Sequence, residues 1–83
     1  MARFYFDVRL ADKITADSEG EDQPDAAAAQ REAIVAALHL AKELMGVGRE
    51  SLVVEVRDEE GQRVARAKLS LDVEPPIILR SDG

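Results

Sequence analysis

Hydrophobic and polar residues alternate one by one in four segments of the chain, residues 3–10, 13–16, 52–57 and 63–71. Such alternation predicts β-strands with one buried and one solvated face, because successive side chains of a strand point to opposite sides. In the first segment, Phe4, Phe6, Val8 and Leu10 fall on one side and charged residues and Tyr5 on the other.

An alanine-rich stretch, residues 26–45, lies between the second and third segments and contains neither Pro nor Gly. Most of its residues have high helix propensity, so a single long helix is predicted. Asp25 is placed to cap the first turn, and Pro24 disfavours a helical residue before it. Gly46 can adopt the left-handed conformation that closes a helix, with Val47 folding back onto the last turn.

Two short connections predict hairpins. Ala11 and Asp12 can form a tight turn between the first two strands, although no Gly supplies the positive φ that two-residue turns favour. Between the last two strands, Asp58 can bond back to the chain and Gly61 can take the left-handed conformation.

Two hairpins joined by one helix predict an α+β fold, a two-layer ββαββ sandwich with the helix on a four-stranded antiparallel sheet. The first and third strands carry the largest apolar side chains, so the expected strand order is 2-1-3-4, with a right-handed crossover. The domain is expected to span residues 1–72, followed by a Pro-containing tail over residues 73–83. The expected core is Phe4, Phe6, Val8, Ile14, Leu52, Val54, Val56 and Leu69 against Ile34, Ala37, Ala41 and Leu44.

Composition narrows the class of protein. A chain of 83 residues forms one small domain with little core to spare. Its net charge of −6 argues against binding nucleic acid or anionic membranes through bulk charge. The absence of Cys excludes disulfides and thiolate chemistry. With no apolar run long enough for a signal peptide or a membrane span, the expected compartment is the cytoplasm.

Residues 17–25 carry five acidic side chains and no basic one. The simplest interpretation is a solvated loop that leads into a helix N-terminus, where negative charge is favourable. Asp17, Glu19 and Glu21 alternate as calcium ligands do, but the remaining ligands and the closing Glu of a calcium loop are missing. The sequence therefore predicts no metal site and no other cofactor.

Several motifs occur together: residues 3–7 (RFYFD), 17–20 (DSEG), the helix start at Pro24 and Asp25 with Ala33 further on, and 54–61 (VEVRDEEG). In combination they resemble a family of short bacterial proteins of unknown function with a ββαββ pattern. The resemblance runs from residue 2 to about 70 and implies the same fold. It implies no activity, because the family has none assigned. The chain departs from the pattern in the first hairpin turn, Leu10-Ala11-Asp12, where a Gly is usual, at Gln23, where an apolar residue usually precedes the proline, and in its Pro-containing tail.

No residue pattern points to catalysis. His39, the only histidine, falls on the polar face of the helix near Glu43, and no serine lies in a nucleophile motif. We therefore expect a protein-interaction module rather than an enzyme.

The predicted helix is apolar over more of its circumference than one sheet face covers. Leu38 and Leu40 lie on opposite shoulders, so one of them is expected to be free for another contact. The tail adds a second apolar patch. The residues predicted to mediate a homodimer are Leu38, Leu40, Ile77, Ile78 and Leu79.

Two alternative functions stay open. Basic and aromatic side chains on an open sheet face can bind single-stranded nucleic acid, although cross-strand charge pairs explain the same residues as sheet stabilisation. The residues concerned are Arg3, Tyr5, Arg9, Arg57, Arg66 and Lys68. The second alternative is an antitoxin-like regulatory subunit, by analogy with small antitoxins in which an acidic loop precedes an alanine-rich helix.

Overall fold

The computed structural model describes residues 1–44, 49–74 and Pro76. The chain order is β1 (Ala2–Leu10), β2 (Lys13–Thr15), β3 (Glu21–Gln23), α1 (Ala26–Leu44), β4 (Arg49–Arg57) and β5 (Arg63–Asp72). The predicted α+β fold, one helix on an antiparallel sheet, is confirmed, with β3 as an additional short strand. The predicted helix end at Met45, its cap by Gly46 and Val47, and the apolar patch of the tail lie outside the described residues.

The capping residue of α1 is the predicted one. The Asp25 carboxylate accepts a hydrogen bond from the Ala28 amide at 2.8 Å, and the Asp25 carbonyl accepts from the Ala29 amide at 3.1 Å. The side-chain bond satisfies one of the amides that a helix N-terminus leaves without an intrahelical partner.

The sheet runs β2-β1-β4-β5, which matches the path predicted for the four alternating segments. The extra strand β3 also pairs with β1, so the two short strands share that central strand. β2 pairs with the C-terminal end of β1, from Val8 to Leu10, and β3 pairs with its N-terminal end, from Ala2 to Phe4. Residues 5–7 of β1 lie between these two ladders.

The turn between β1 and β2 contains two residues, as predicted, and Ala11 supplies the positive φ of 56°. The resulting register places Ile14 opposite Arg9, on the face of the sheet that the helix does not cover. Ile14 is 60 % exposed, so its predicted place in the core was wrong. The turn between β4 and β5 is also as predicted, with Gly61 at a φ of 83° and its amide bonded to the Asp58 carbonyl at 3.0 Å.

Small residues form the contact surface of the helix. Ala29, Ala33 and Ala37, spaced one helical turn apart, are buried against the sheet. α1 packs chiefly over β5 and β4. The sheet contributes the buried residues Phe4, Leu52, Val54 and Val56, and the half-buried residues packed around this core are Phe6, Val8, Leu10, Leu40, Ala41, Ala65 and Ala67.

Two predicted core residues of the helix are largely exposed. Ile34 follows Ala33 by about 100° around the helix, so it points away from the alanine stripe. Leu44 is the last residue of α1 and stays 50 % exposed. Conversely, Val53 lies on the face of β4 that the helix does not cover, and it is nevertheless buried between its cross-strand neighbours, Arg9 and Lys68.

Leu52→Ala is expected to lower the free energy of unfolding by about 2–5 kcal/mol, because the fully buried side chain would leave a cavity. Leu44→Ala, the control, should cost less than about 1 kcal/mol because half of that side chain is already in water. Urea denaturation of both variants measures the difference, and equal losses would contradict this description of the core.

Candidate functional site

The carboxylate of Asp17, at the start of the loop from β2 to β3, accepts three backbone hydrogen bonds beside the open face of the sheet. Its Oδ2 accepts the backbone amide of Phe6 at 3.1 Å. Its Oδ1 accepts the amides of Glu19 at 3.1 Å and Gly20 at 3.2 Å. Phe6 lies in the gap of β1 between β2 and β3, so Asp17 supplies the acceptor that neither short strand provides there.

Asp7 and Arg57 complete the cluster from the two central strands. The Asp7 Oδ1 accepts the Asp17 amide at 2.9 Å. The Arg57 guanidinium donates through Nε to Asp7 Oδ2 at 2.7 Å and through Nη2 to the Asp17 carbonyl at 2.8 Å. It also lies 4.8 Å from the centre of the Tyr5 ring, a distance suited to a cation–π contact. Arg57 thus ties β4 to β1 and to the loop.

Gly20 allows the loop to lie close to β1. Its φ of +77° is in the left-handed region, and a Cβ at this position would lie 2.9 Å from the Phe4 carbonyl oxygen and 3.0 Å from Cε1 of Tyr5. Arg3 also holds this loop, because it donates to the Glu19 carbonyl at 2.6 Å and pairs with Asp22 at 3.4 Å.

The environment keeps both carboxylates charged. Partial burial opposes ionisation of Asp7, but the hydrogen bond from Arg57, the Asp17 amide and the charge of Arg57 together lower its pKa below 3.8. Partial burial likewise opposes ionisation of Asp17, and the amides of Phe6, Gly20 and Glu19, with the Arg57 charge, lower its pKa below the same value. The bond to Asp7 raises the pKa of Arg57.

These directions limit the chemistry of the cluster. A general base at neutral pH works best with a pKa near 7, whereas the pKa of both Asp7 and Asp17 is lowered from its ordinary value. Both oxygens of each carboxylate already accept hydrogen bonds within the protein. The arrangement suits a structural tie between β1, β4 and the loop.

Sequence reasoning treated Asp17 as part of a solvated loop and did not find this cluster. The available signal was the Asp three residues before Gly20, since Asp commonly bonds to the amides that follow it in a turn. No calcium-type arrangement results, because the Asp17 oxygens bind backbone amides. Within residues 1–44, 49–74 and 76, no three His, Asp or Glu side chains are grouped to hold a metal ion.

Three of the five basic residues predicted on the open face form ion pairs with carboxylates. Arg3 pairs with Asp22, Arg57 with Asp7, and Arg9 with Glu55 at 3.9 Å. Arg63 also pairs with Glu55, at 3.1 Å. In the part of the chain that the structure describes, Arg66 and Lys68 on β5 form no ion pair.

The residues predicted for self-association are separated by the fold. Leu38 is 56 % exposed on the outside of α1, whereas Leu40 is half-buried against the core. His39 is exposed beside a shallow depression lined by Val35, Ala36 and Leu40. Ile77, Ile78 and Leu79 lie outside the described residues. No described helix is long and apolar enough to cross a membrane.

The model of a domain of unknown function, DUF6894, matches residues 3–70. The chain belongs to this family. The resemblance predicted from the motifs is thereby confirmed, and the matched DUF6894 region includes Asp7, Asp17, Gly20 and Arg57. No curated protein and no solved structure matches the chain.

Asp17→Ala is expected to lower the free energy of unfolding of this DUF6894 domain by about 2–3 kcal/mol at pH 7, because it leaves three backbone amides without their acceptor. A carboxylate with a lowered pKa stabilises the fold above its unfolded pKa, and this contribution is lost as the pH falls through the folded value. The difference between variant and parent should therefore shrink at about pH 3, close to the unfolded pKa. Urea denaturation at both pH values checks this, with Glu60→Ala as a control expected within about 0.5 kcal/mol of the parent.

Gly20→Ala and Gly61→Ala form a matched pair. Both glycines have positive φ, which costs about 1–2 kcal/mol for a residue with a Cβ. Nothing lies within 4 Å of a Cβ at Gly61, whereas at Gly20 the backbone of Phe4 is in the way. The free energy of unfolding of the Gly20 variant should therefore fall by at least about 1 kcal/mol more than that of the Gly61 variant, a difference typical of overpacking. Equal melting temperatures would contradict a tightly seated loop.

Proposed function

We propose that this DUF6894 protein is a non-catalytic protein-interaction module of the bacterial cytoplasm that self-associates as a two-fold dimer. The observation that carries the proposal is the apolar side chains left in water along the outside of α1. Ile34, Val35 and Leu38 are each about half exposed within little more than one helical turn. Exposed apolar residues that lie together are typical of protein interaction sites.

The energetics favour covering this patch. Fully burying an aliphatic side chain contributes about 1.5–3 kcal/mol, and about half of each of these side chains remains to be buried. A two-fold axis doubles the gain, because the same residues from both copies are covered. Association costs must be subtracted, so a micromolar rather than a nanomolar dimer is expected.

The polar side of the molecule supports a non-catalytic role. Asp7, Asp17 and Arg57 are held by one another and by backbone groups, and their hydrogen bonds join β1, β4 and the β2–β3 loop. Their lowered carboxylate pKa values suit permanent charge rather than proton transfer.

The ion pairs on the open face of the sheet argue against nucleic-acid binding. Arg3, Arg9 and Arg57 form ion pairs across strands, as expected for sheet stabilisation. Tyr5, the aromatic residue of that face, has its ring beneath Arg57. Arg66 and Lys68 are the two predicted cations with no described ion pair, and two cations on a chain of net charge −6 are a weak electrostatic footprint.

Sedimentation velocity of the full chain at hundreds of micromolar tests the proposal, and a mass of twice 9.1 kDa is expected. Leu38→Glu should weaken the dimer at least about tenfold, because a charge would be buried in the apolar contact. His39→Ala, at the neighbouring exposed position of the same helix, is the control. It should leave the sedimenting mass unchanged and alter the free energy of unfolding by no more than about 0.5 kcal/mol. A parent chain that sediments as a monomer would rule out self-association.

A further inference from the structure

Two exposed cations of β5, Arg66 and Lys68, lie two residues apart on the face of the sheet that α1 does not cover. Arg66 is directly opposite Glu55, but the Glu55 carboxylate pairs with Arg63 at 3.1 Å and with Arg9 at 3.9 Å instead. Among the described residues, neither Arg66 nor Lys68 forms an ion pair. Both charges are therefore available to a molecule outside the chain.

Asp7, the next carboxylate on this face, is already occupied. It lies opposite Glu55 in the β1–β4 ladder, and its oxygens accept hydrogen bonds from Arg57 and from the Asp17 amide. Basic residues therefore outnumber carboxylates around Glu55, although the net charge of the chain is −6. Because the rest of the chain is strongly acidic, an acidic ligand is attracted to this face and repelled by most of the remaining surface.

Val53 shows how the head groups of this surface are held. It is 5 % exposed although α1 does not cover its side of β4. Its cross-strand neighbours are Arg9 and Lys68, so their aliphatic stems account for the burial and keep their charged ends in water. The surface therefore has an apolar floor from which cations project.

We propose that Arg66 and Lys68 form a docking surface for an extended acidic segment of a partner protein, with carboxylates at alternate positions of the segment. The contact uses side chains on the face of β5 and no backbone group at its outer edge. It goes beyond the proposed self-association, because α1, whose outside carries the dimer contact, lies on the opposite face of the sheet. A dimer formed through α1 would leave this surface open on both copies.

The spacing of the two cations selects this ligand. Alternate residues of a strand are about 6.7 Å apart and point to the same side. An extended segment has the same repeat, so an acidic residue at every second position can place one carboxylate on Arg66 and the next on Lys68. A guanidinium binds a carboxylate through two parallel hydrogen bonds, and an ammonium binds it as a point charge.

Charge and stacking both favour a peptide over a single-stranded nucleic acid. Single-strand-binding modules stack bases on aromatic rings. Tyr5, the aromatic residue of this face, has its ring 4.8 Å from the Arg57 guanidinium, which occupies the place of a base. Glu55 and Asp7 would in addition repel a continuous row of phosphates, whereas separate carboxylates can bind on the β5 side of them.

Peptide titrations monitored by the amide chemical shifts of the isotope-labelled full chain test this surface. The probe is acetyl-Glu-Ser-Glu-Ser-Glu-Ser-Ser-amide, and the comparison peptide, acetyl-Glu-Ser-Ser-Glu-Ser-Ser-Glu-amide, carries the same charge at every third position. At about 20 mM NaCl, the probe should shift the amides of residues 63–69 saturably and bind at least about threefold more tightly than the comparison peptide. Its affinity should fall at least about fivefold at about 200 mM NaCl, because exposed charges are screened.

A pair of double variants locates the site. Arg66→Gln combined with Lys68→Gln should weaken binding of the probe at least about tenfold. Glutamine removes the charges without placing a carboxylate opposite Glu55, so the variant is expected to stay folded. Lys13→Gln combined with Lys42→Gln, the matched control, removes the same charge from β2 and from the outside of α1 and should bind the probe within about twofold of the parent.

The other results would each overturn the proposal in a different way. Absence of a saturable shift in the β5 amides, or equal weakening in the matched control, rules out this docking surface, and equal affinities for the two peptides rule out the alternating spacing. A thymidine oligonucleotide of the same charge that binds these residues more tightly than the probe would identify a nucleic-acid surface instead. A fall in sedimenting mass on changing Arg66 and Lys68 would show that a second copy of the chain uses the surface. A monomeric parent that still binds the probe rules out the self-association alone and supports this separate surface.

Discussion

The hydrogen bond from the Phe6 amide to Asp17 compensates for the way in which β1 is paired. β1 lies against β4 on one edge, but its other edge is shared by two three-residue strands that do not meet. An amide left in that gap would lack an acceptor, at a cost of about 1–3 kcal/mol where water is excluded. The carboxylate of Asp17 fills the gap, and the loop that carries it is held by Asp7, Arg57 and Gly20.

This arrangement explains why charged residues cluster on the sheet face that α1 does not cover. Arg57 is positioned by β4, Asp7 by β1 and Asp17 by the loop, so the three side chains connect segments that are distant in sequence. Each carboxylate is stabilised in its charged form by donors that the fold brings to it. The network of Asp7, Asp17 and Arg57 therefore fixes the position of the loop and of β3. The apolar layer beneath α1 holds the long strands together.

The strands and the helix could be predicted because burial imposes the periods of two and 3.6 on the sequence. The facing of Ile14 was predicted wrongly because its hydrophobicity was given more weight than the register. The predicted two-residue turn at Ala11 and Asp12 already places Ile14 opposite Arg9. β3 was missed since its residues, Glu21, Asp22 and Gln23, carry no apolar alternation. The cluster was missed for a related reason: Asp17 acts through the gap between two strands, one of which the pattern did not reveal.

Tyr5 gives this molecule an internal optical reporter. The chain has one Tyr and no Trp, so its near-ultraviolet signal, apart from that of the two Phe residues, arises at the ring beneath the Arg57 guanidinium. The far-ultraviolet signal of α1 arises on the opposite face of the sheet. Recording the near- and far-ultraviolet signals together during thermal denaturation requires no label. It would reveal whether the network around Arg57 and the helix unfold in one cooperative step or in two.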